Sequence, residues 1–444
     1  MPNTSTLPVA IVGAGPVGLA AAAHLVKRGL TPLVFERGAQ VGATVAEWAH
    51  VRVFSPWEFN VDAAARSLLE AEGWRMPDPD ELPTGQDIIR DYLAPLAAHP
   101  ALQPHIRLNA DVLAIARQDR SKLATAGRDD APFAIVWRDA AGARQRTLAR
   151  AVIDASGTWV RPNPIGLDGL PVDGELENRD RIAYGIPDVL GTDRASYAGR
   201  HTLVIGGGHS AINTALDLLD LKEQAPTTRV TWATRAGGIE RLMGGGLNDA
   251  LPGRGLLGVR ATQAIRQGQV TLLSPFAVRR LTADAGGLLV EGQSGDTAKA
   301  FHADRIVVAT GFRPDLAMLS ELRLSLDPIV EATPALAPLI DPNLHSCGTV
   351  RPHGVVELAH PEKHFYMIGM KSYGRAPTFL MTTGYEQARS VVAEIAGDPV
   401  AAREVKLKLP ETGVCGASPA LPAAGIQSIA PAASGCCVRR EVAV

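Results

Sequence analysis

The sequence predicts an α/β fold, and two features of its 444 residues carry that prediction. Two stretches each run from a strand of β-forming residues through a glycine-rich turn into an apolar helix and a second strand. Two further apolar strands, within residues 151–158 and 306–311, end in small residues, where each would close one nucleotide-binding unit. A strand that turns sharply into a helix through glycines is typical of dinucleotide binding. We therefore expect two Rossmann-like, three-layer domains, the second inserted into the first.

The first glycine-rich turn indicates a phosphate site at the start of a helix. It contains Gly13, Gly15, Pro16 and Gly18. Such a unit needs Gly13 for the turn, Gly15 for the approach of a pyrophosphate and Gly18 for packing of the helix on the strand. The N–H groups at the helix start bind phosphate with help from the helix dipole. The next strand ends at Glu36 and Arg37, and an acid at this distance is close to the position that binds a ribose hydroxyl.

The second glycine-rich turn indicates a site for a different dinucleotide. Its candidate binding residues are Gly206, Gly208, His209, Ser210 and Ala211. The strand after the following helix ends in Arg235 rather than in an acid. An arginine there can accept a ribose 2′-phosphate, which favours NADPH over NADH, whereas the acid of the first unit suits FAD. The alternative for Arg235 is a solvated charge at the end of a strand.

The order of these patterns predicts how the chain is divided. We expect an FAD-binding domain in two parts (residues 1–165 and 303–400), an inserted NADPH-binding domain (166–302) and a flexible cysteine-containing tail (401–444). The tail is rich in Pro, Ala, Gly and Ser and poor in aromatic residues. Alternating apolar residues also predict a small antiparallel sheet from residues 106–114 and 133–137, with a charged surface loop at 119–130 between them.

Residues that follow the later strands complete the predicted cofactor sites. Gly157, Gly311 and Gly369 each come after a buried strand, and Met370 follows the last of them. The last predicted helix has Thr378 at its start, a residue type that suits a first turn. The positive end of that helix would face the N1–C2=O edge of a flavin, where reduction places negative charge.

One loop and three arginines are candidates for the reaction space. Trp48, Arg52 and Ser55 lie in a loop whose aromatic and polar residues suit the lining of a flat heterocycle. The alternative is a packed loop with two core tryptophans. Arg52, Arg313 and Arg375 are the catalytic candidates, because an arginine can hold a nicotinamide or stabilise a peroxide anion. A structural ion pair is the alternative for each of them.

Composition and charge limit the expected partners. Hydrophobic residues make up 46% of the chain, charged residues 20%, and the net charge is -2, so nothing favours binding to nucleic acid or to an anionic membrane. Glycines and a proline interrupt the apolar run at 7–26, which argues against a membrane span or an export signal. Four cysteines are too few for a disulfide framework and suit a reducing compartment, so we expect a cytoplasmic protein. We expect no metal site, because the histidines are irregularly spaced.

Taken in order, the motifs resemble those of two-dinucleotide-binding-domain flavoproteins, most closely the flavin-containing (class B) monooxygenase group. The resemblance covers residues 8–396. It implies FAD and NADPH as cofactors, with a reduced flavin that activates O2 as a C4a-(hydro)peroxide and oxygenates a small soft nucleophile. The chain departs from that group because residues 184–189 lack its fingerprint histidine. Pyridine nucleotide–disulfide reductases share the domain plan, but this chain contains no C-x-x-C, which disfavours their chemistry.

The tail adds three candidates, Cys415, Cys436 and Cys437. On a flexible segment their thiolates would reach the flavin or bind a thiophile such as trivalent arsenic, with incidental thiols as the alternative. Two other functions stay open. One is an NADPH-dependent flavin reductase that passes electrons to these thiols or to a protein partner, and the other is a non-catalytic nucleotide-binding redox sensor. The sequence carries no pattern for the substrate or the oligomeric state.

Overall fold

The computed structural model describes residues 6–235, 252–344, 350–377 and 379–407, and it shows an α/β fold with two parallel sheets. The strands are β1 (Val9–Val12), β2 (Pro32–Phe35), β3 (Ile106–Arg107), β4 (Asp111–Arg117), β5 (Phe133–Arg138), β6 (Arg144–Ala149), β7 (Ala151–Asp154), β8 (Ile182–Tyr184), β9 (His201–Ile205), β10 (Arg229–Ala233), β11 (Thr271–Leu273), β12 (Ala277–Asp284), β13 (Gly287–Ser294), β14 (Thr297–Ala303), β15 (Arg305–Val308) and β16 (Phe365–Met367).

The described helices connect these strands. They are α1 (Pro16–Lys27), α2 (Ala43–Ala46), α3 (Ala63–Ala71), α4 (Gly85–Ile88), α5 (Ala94–Ala98), α6 (Arg194–Tyr197), α7 (His209–Gln224), α8 (Pro252–Arg266), α9 (Ala337–Ile340), α10 (Val355–Leu358), α11 (Met381–Ile395) and α12 (Pro399–Arg403). Single turns of 3-10 or π-helix lie at Trp57–Phe59, Ile89–Leu93, Gln103–His105, Arg179–Arg181, Ala317–Leu319 and Gly369–Tyr373. Within the described ranges, none of the helices is long and apolar enough to span a membrane.

The first sheet has five parallel strands in the order β16–β7–β1–β2–β3. Every residue of β1 is buried, as expected for a central strand covered on both faces. The chain continues from β1 to β2 and β3 on one side of β1, and it later adds β7 and β16 on the other side. The carboxyl ends of β1 and β7 therefore border a topological switch point, where such folds bind ligands.

The second sheet repeats this plan in the order β11–β10–β9–β15–β8, again with parallel strands only. β9 is the central strand, and β15 has the place beside it that β7 has beside β1. The two closing strands of the predicted fold therefore occupy equivalent positions, one in each sheet.

A three-stranded antiparallel sheet is attached to each parallel sheet along the chain, β4–β5–β6 before β7 and β12–β13–β14 before β15. The prediction that residues 106–114 begin the first of them was partly wrong. Ile106–Arg107 pairs with β2 as the edge strand of the parallel sheet, and the antiparallel sheet begins at Asp111. Alternation of apolar residues is common to both kinds of strand, so it does not report the partner.

The chain crosses between the two sheets twice, and the crossings lie side by side. The backbone N–H of Asn163 donates to Gly311 O at 2.9 Å, and Thr310 Oγ1 donates to Asn163 O at 3.0 Å. The return crossing follows Val308, later than the expected boundary at 302/303, because β15 pairs with β9 and β8 of the second sheet. The strands on either side of the insertion, β7 and β16, are neighbours in the first sheet.

The charged segment 119–130 is not simply a surface loop, because it is anchored by a buried charge cluster. Glu362 accepts from Arg117 Nε at 2.7 Å and from Arg128 at 2.8 Å, and all three side chains are about 1% exposed. The high charge of this segment predicted exposure. Pairing with a carboxylate far along the chain is what allows Arg128 to be buried.

Candidate functional site

The first glycine-rich turn has the geometry of a phosphate cradle. Gly13 has a φ of +97°, and a Cβ there would lie 2.8 Å from Ala155 O. A Cβ on Gly18 would lie 2.0 Å from Gly13 O, so α1 approaches the turn after β1 more closely than any side chain allows. A Cβ on Gly15 would meet nothing within 4 Å. Gly13 and Gly18 thus have the turn and the close packing expected of them, and the open space at Gly15 is where we expect a pyrophosphate to approach.

The start of α1 offers backbone donors to an anion. Gly15 is the N-cap residue with no side-chain cap, and Pro16 is in the first turn. The first N–H groups of a helix have no intrahelical acceptor and carry partial positive charge. Their position beside the open space at Gly15 makes this turn suited to a phosphate group.

Glu36 lies beside that turn and is held rigidly. It is 8% exposed, and its Oε2 accepts from Ala14 N while its Oε1 accepts from Gly38 N, both at 2.8 Å. Each carboxylate oxygen can accept a further hydrogen bond, so the hydroxyls of a ribose can still be bound. Arg37 is exposed at the surface next to it.

The second glycine-rich turn repeats the cradle in the second sheet. Gly206 has a φ of +141°, and a Cβ there would lie 2.3 Å from Ala309 O, whereas a Cβ on Gly208 would meet nothing within 4 Å. The carbonyl of Gly206 accepts from Trp232 Nε1 at 2.7 Å, which ties the turn to β10. Helix α7 begins at His209 with Gly208 as an N-cap that has no side-chain cap.

The residues that distinguish the second cradle from the first lie around its helix. Ser210 is half-buried in the first turn, and Ala211 is fully buried at the position of close packing. Arg235 is exposed two residues after the end of β10, and Thr234 has the place directly after this strand that Glu36 has after β2. The second unit thus has a neutral residue at the strand end and a base one position later, and the predicted choice between a free ribose diol at Glu36 and a 2′-phosphate at Arg235 depends on this difference.

The loop predicted to line a heterocycle is well packed. Ser55 is buried, and its Oγ donates to Asn60 Oδ1 at 3.0 Å. Trp48 is half-buried against Gly85, on which a Cβ would lie 2.9 Å from Trp48 Cε3. The same loop reaches the second cradle, because the rings of Phe54 and His209 have centroids 5.2 Å apart. The loop therefore connects the two domains near the start of α7.

Side-chain contacts hold two of the three candidate arginines. Arg52 is exposed and donates to the carbonyl of Leu82. Arg375 is 40% exposed and forms an ion pair with Glu331 at 2.9 Å, which matches the structural alternative. Arg313 lies in the return crossing, and its Nε is buried with no hydrogen-bond partner among the described residues.

The ends of β7 and β16 carry polar residues that the sequence reasoning missed. Lys371 Nζ lies 2.7 Å from Asp154 Oδ2, and both side chains are at most 1% exposed. Behind them, Gln387 Oε1 accepts from Gly369 N at 2.7 Å, and Gln387 Nε2 lies 2.8 Å from His353 Nε2. Burial lowers the pKa of His353. An acid at the end of an apolar strand was the only available signal for this cluster.

Four of the remaining predicted positions follow strands of the two parallel sheets. Gly157, Gly311 and Gly369 all have positive φ, and Met370 is half-buried after Gly369. Helix α11 begins at Met381 with Leu380 as its N-cap, two residues later than predicted. Thr378 and the three tail cysteines, Cys415, Cys436 and Cys437, lie outside the described residues. The described part of the chain contains no cluster of three or more His, Cys, Asp or Glu side chains that could hold a metal ion.

Comparisons with known proteins agree with this arrangement. The profile of the family described as pyridine nucleotide-disulphide oxidoreductase matches residues 7–361. Ferredoxin–NADP reductase from Streptococcus pneumoniae serotype 2 is 24% identical over 323 residues, which cover 72% of this chain and 78% of that protein.

Two solved structures show a similar fold. Bacillithiol disulfide reductase from Bacillus cereus superposes with a TM-score of 0.64 at 18% identity, covering 88% of this chain and 99% of that chain. The FAD-bound cadaverine monooxygenase DfoA from Erwinia amylovora gives a TM-score of 0.59 at 14% identity, covering 91% and 98%. The fold is thus that of two-domain flavoproteins that include both reductases and monooxygenases.

Proposed function

This chain belongs to the pyridine nucleotide-disulphide oxidoreductase family, and from that premise we propose that it is a monooxygenase of a small soft nucleophile. It is an FAD-dependent NAD(P)H oxidoreductase with FAD and NADPH as cofactors. The proposal concerns the fate of the electrons, because the family includes enzymes that deliver them to disulfides, to proteins and to O2.

The observation that carries the proposal is the combination of two cradles, one with an acid and the other with a base close after its second strand, and a chain without C-x-x-C. Glu36 and Arg235 provide for two different dinucleotides. A reductase that works through an internal C-x-x-C disulfide needs that thiol pair, and no C-x-x-C occurs in the sequence. Oxygen needs no such motif, since bound FAD supplies the chemistry that activates it.

In this proposal the protein contributes binding and orientation. Glu36 and the start of α1 would hold the ribose and pyrophosphate of FAD, and Gly208 with Arg235 would hold the pyrophosphate and 2′-phosphate of NADPH. Arg313 is the arginine we favour for contact with the nicotinamide or the substrate, because its buried Nε has no hydrogen-bond partner among the residues that the structure describes. The buried cluster around Asp154 would exclude water from the adjoining edge of the first sheet.

The proposal is tested by following NADPH and O2 together. Purified holoprotein is mixed with NADPH in air containing ¹⁸O2, alone and with a sulfide, a diamine such as cadaverine, or arsenite. We expect one of these nucleophiles to accelerate NADPH oxidation and to acquire one ¹⁸O atom per NADPH consumed. Incorporation of no label into any product, with NADPH oxidised equally fast by an artificial acceptor without O2, would contradict the oxygenase proposal.

A flavin reductase is the second candidate, and the similarity to ferredoxin–NADP reductase is the observation that favours it. In that case a small electron-carrier protein, or the pair Cys436 and Cys437, would accept the electrons. The distinguishing measurement is anaerobic reduction of a ferredoxin by NADPH. Ferredoxin reduction faster than any O2-dependent turnover would favour the reductase.

The tail cysteines extend the proposal to a thiophilic ligand. Three thiolates from Cys415, Cys436 and Cys437 would suit trivalent arsenic, which prefers sulfur ligands. Replacing Cys436 and Cys437 with serine should weaken arsenite binding measured by calorimetry. Unchanged arsenite binding and turnover would leave these thiols without a role in the proposed reaction.

A further inference from the structure

The buried ammonium group of Lys371 joins the turn after β7 to the turn after β16, beside the first cradle. Lys371 Nζ lies 2.7 Å from Asp154 Oδ2 and donates to Ser156 Oγ at 3.0 Å. Ser156 donates from its backbone N and its Oγ to Asp154 Oδ1, at 3.1 and 2.6 Å. The cost of removing two charges from water offsets most of their attraction, so a buried ion pair contributes little net stability. The geometry it imposes is the better explanation for its presence.

Ala155 connects this ion pair to the cradle. Ala155 lies between Asp154 and Ser156, the two residues that Lys371 contacts. A Cβ on Gly13 would lie 2.8 Å from Ala155 O, and a Cβ on Gly18 would lie 3.5 Å from Ala155 Cβ. The backbone on which both glycines pack is therefore held in place by the ion pair.

The turn that carries Lys371 contacts the same helix at its first turn. Lys371 belongs to the single helical turn Gly369–Tyr373, which follows β16. A Cβ on Gly369 would lie 3.4 Å from Val17 Cβ, in the first turn of α1. Two turns thus abut the start of α1, one from β7 and one from β16, and Lys371 holds them together.

In the described part of the second cradle the equivalent position is apolar. Gly206 packs on Ala309 much as Gly13 packs on Ala155, but β15 ends in the apolar Val308 where β7 ends in Asp154. The turn after β15 is held instead by hydrogen bonds between Thr310 and Asn163. Among the residues that the structure describes, this ion pair therefore belongs to the FAD side and has no counterpart at the second cradle.

We propose that Lys371 and Asp154 are positioning residues for FAD. Their ion pair sets the spacing of the turns after β7 and β16, so that the cradle at the start of α1 is preorganised for the cofactor. The inference rests on FAD as the cofactor and is independent of whether the electrons go to O2 or to another acceptor. A failure of the oxygenase test therefore leaves it standing, and the reverse also holds.

The test compares the two cofactors in one variant. In Lys371→Met holoprotein, release of FAD on dilution is followed by the rise of flavin fluorescence, and the Kd of NADP⁺ is measured by calorimetry. We expect the FAD Kd to rise by about tenfold or more, while the NADP⁺ Kd stays within about twofold. Lys363→Met is the matched control, because it removes an exposed ion pair with Asp129, 2.8 Å long against 2.7 Å for Lys371 and Asp154, just before the amino end of β16. Its FAD Kd should match the wild type.

A second variant separates positioning from folding. Lys371→Met leaves Asp154 buried and unpaired, whereas adding Asp154→Asn removes both charges, so this double variant should keep a thermal midpoint near that of the wild type. We expect it to release FAD as readily as the single variant and to keep a native flavin-free circular dichroism spectrum. Wild-type FAD affinity in either variant, or equal loss of FAD and NADP⁺ binding in the double variant, would overturn the proposal.

Discussion

The charge cluster around Glu362 allows a stability prediction whose size follows from the structure. Glu362 accepts hydrogen bonds from Arg117 and Arg128, with all three side chains about 1% exposed. Glu362→Gln keeps the shape but leaves two buried guanidinium groups without a carboxylate. Breaking a buried pair by removing one partner costs about 3–5 kcal/mol. Arg117 still donates to Ala131 O and lies over the Phe133 ring at 3.8 Å, so we expect the lower end, about 3 kcal/mol.

The assay is urea unfolding of the holoprotein, followed by far-ultraviolet circular dichroism. Glu70→Gln is the matched control, since Glu70 and Arg66 form an ion pair of the same length, 2.7 Å, with side chains 43% and 48% exposed. An exposed pair contributes at most about 1 kcal/mol, so Glu70→Gln should hardly move the midpoint. If Glu362→Gln loses no more unfolding free energy than Glu70→Gln, the argument that burial makes the Glu362 cluster important for stability is refuted.

The difference in stability between the wild type and Glu362→Gln has a predictable pH dependence. Burial by itself raises the pKa of Glu362, but hydrogen bonds from Arg128, the Arg323 backbone and Arg117 together lower it below the usual value. A group with a lowered folded-state pKa contributes stability above its unfolded-state pKa, and loses it as the pH falls through the folded-state pKa. The stability difference between the wild type and Glu362→Gln should therefore be largest near neutral pH and shrink in acid.

Three further predictions concern the cradles and a buried histidine. Gly15→Val should fold but bind FAD at least about tenfold more weakly, because its side chain would occupy open space at the phosphate site. Gly18→Val should give little folded protein, because a Cβ there would already lie 2.0 Å from Gly13 O. FAD content and soluble yield distinguish the two variants. Arg235→Ala should raise the KM for NADPH by about 10–100-fold, with the KM for NADH within about twofold, and equal changes in both would contradict a 2′-phosphate contact. Burial lowers the pKa of His360 to about 4, so the unfolded state binds more protons between pH 6.5 and 4. As the pH is lowered through that window, the free energy of unfolding should decrease by up to about 3 kcal/mol. His360→Gln should remove this part of the pH dependence, measured by urea titrations at several pH values.

The two cradles could be predicted from sequence because each is contiguous. Gly13, Gly15 and Gly18 lie within six residues, and the positive φ of Gly13 and the close packing of Gly18 are properties of that short segment. The strand that follows supplies Glu36 in one unit and Arg235 in the other at a spacing that the helix length determines. Local backbone geometry therefore carried enough information for the fold class and the two dinucleotide sites.

The partners of buried charges were decided by the tertiary structure alone. Arg117 and Glu362 are 245 positions apart, and Lys371 and Ser156 are 215 apart. The burial of Arg128 in a charged segment, and of Lys371 after a short strand, depends on which strands become neighbours in a sheet. A single sequence shows that a residue carries a charge, but only the folded chain shows which opposite charge removes the penalty of burying it.

The pairing of short strands was decided in the same way. Ile106–Arg107 and Asp111–Arg117 have similar apolar alternation, yet the first joins the parallel sheet and the second the antiparallel one. Period-2 alternation specifies which side chains face the core, and hydrogen bonding to a partner specifies the sheet. The sequence by itself determined the two nucleotide-binding units and their order, whereas the register of the edge strands and the ion pair beside the first cradle depended on contacts between distant segments.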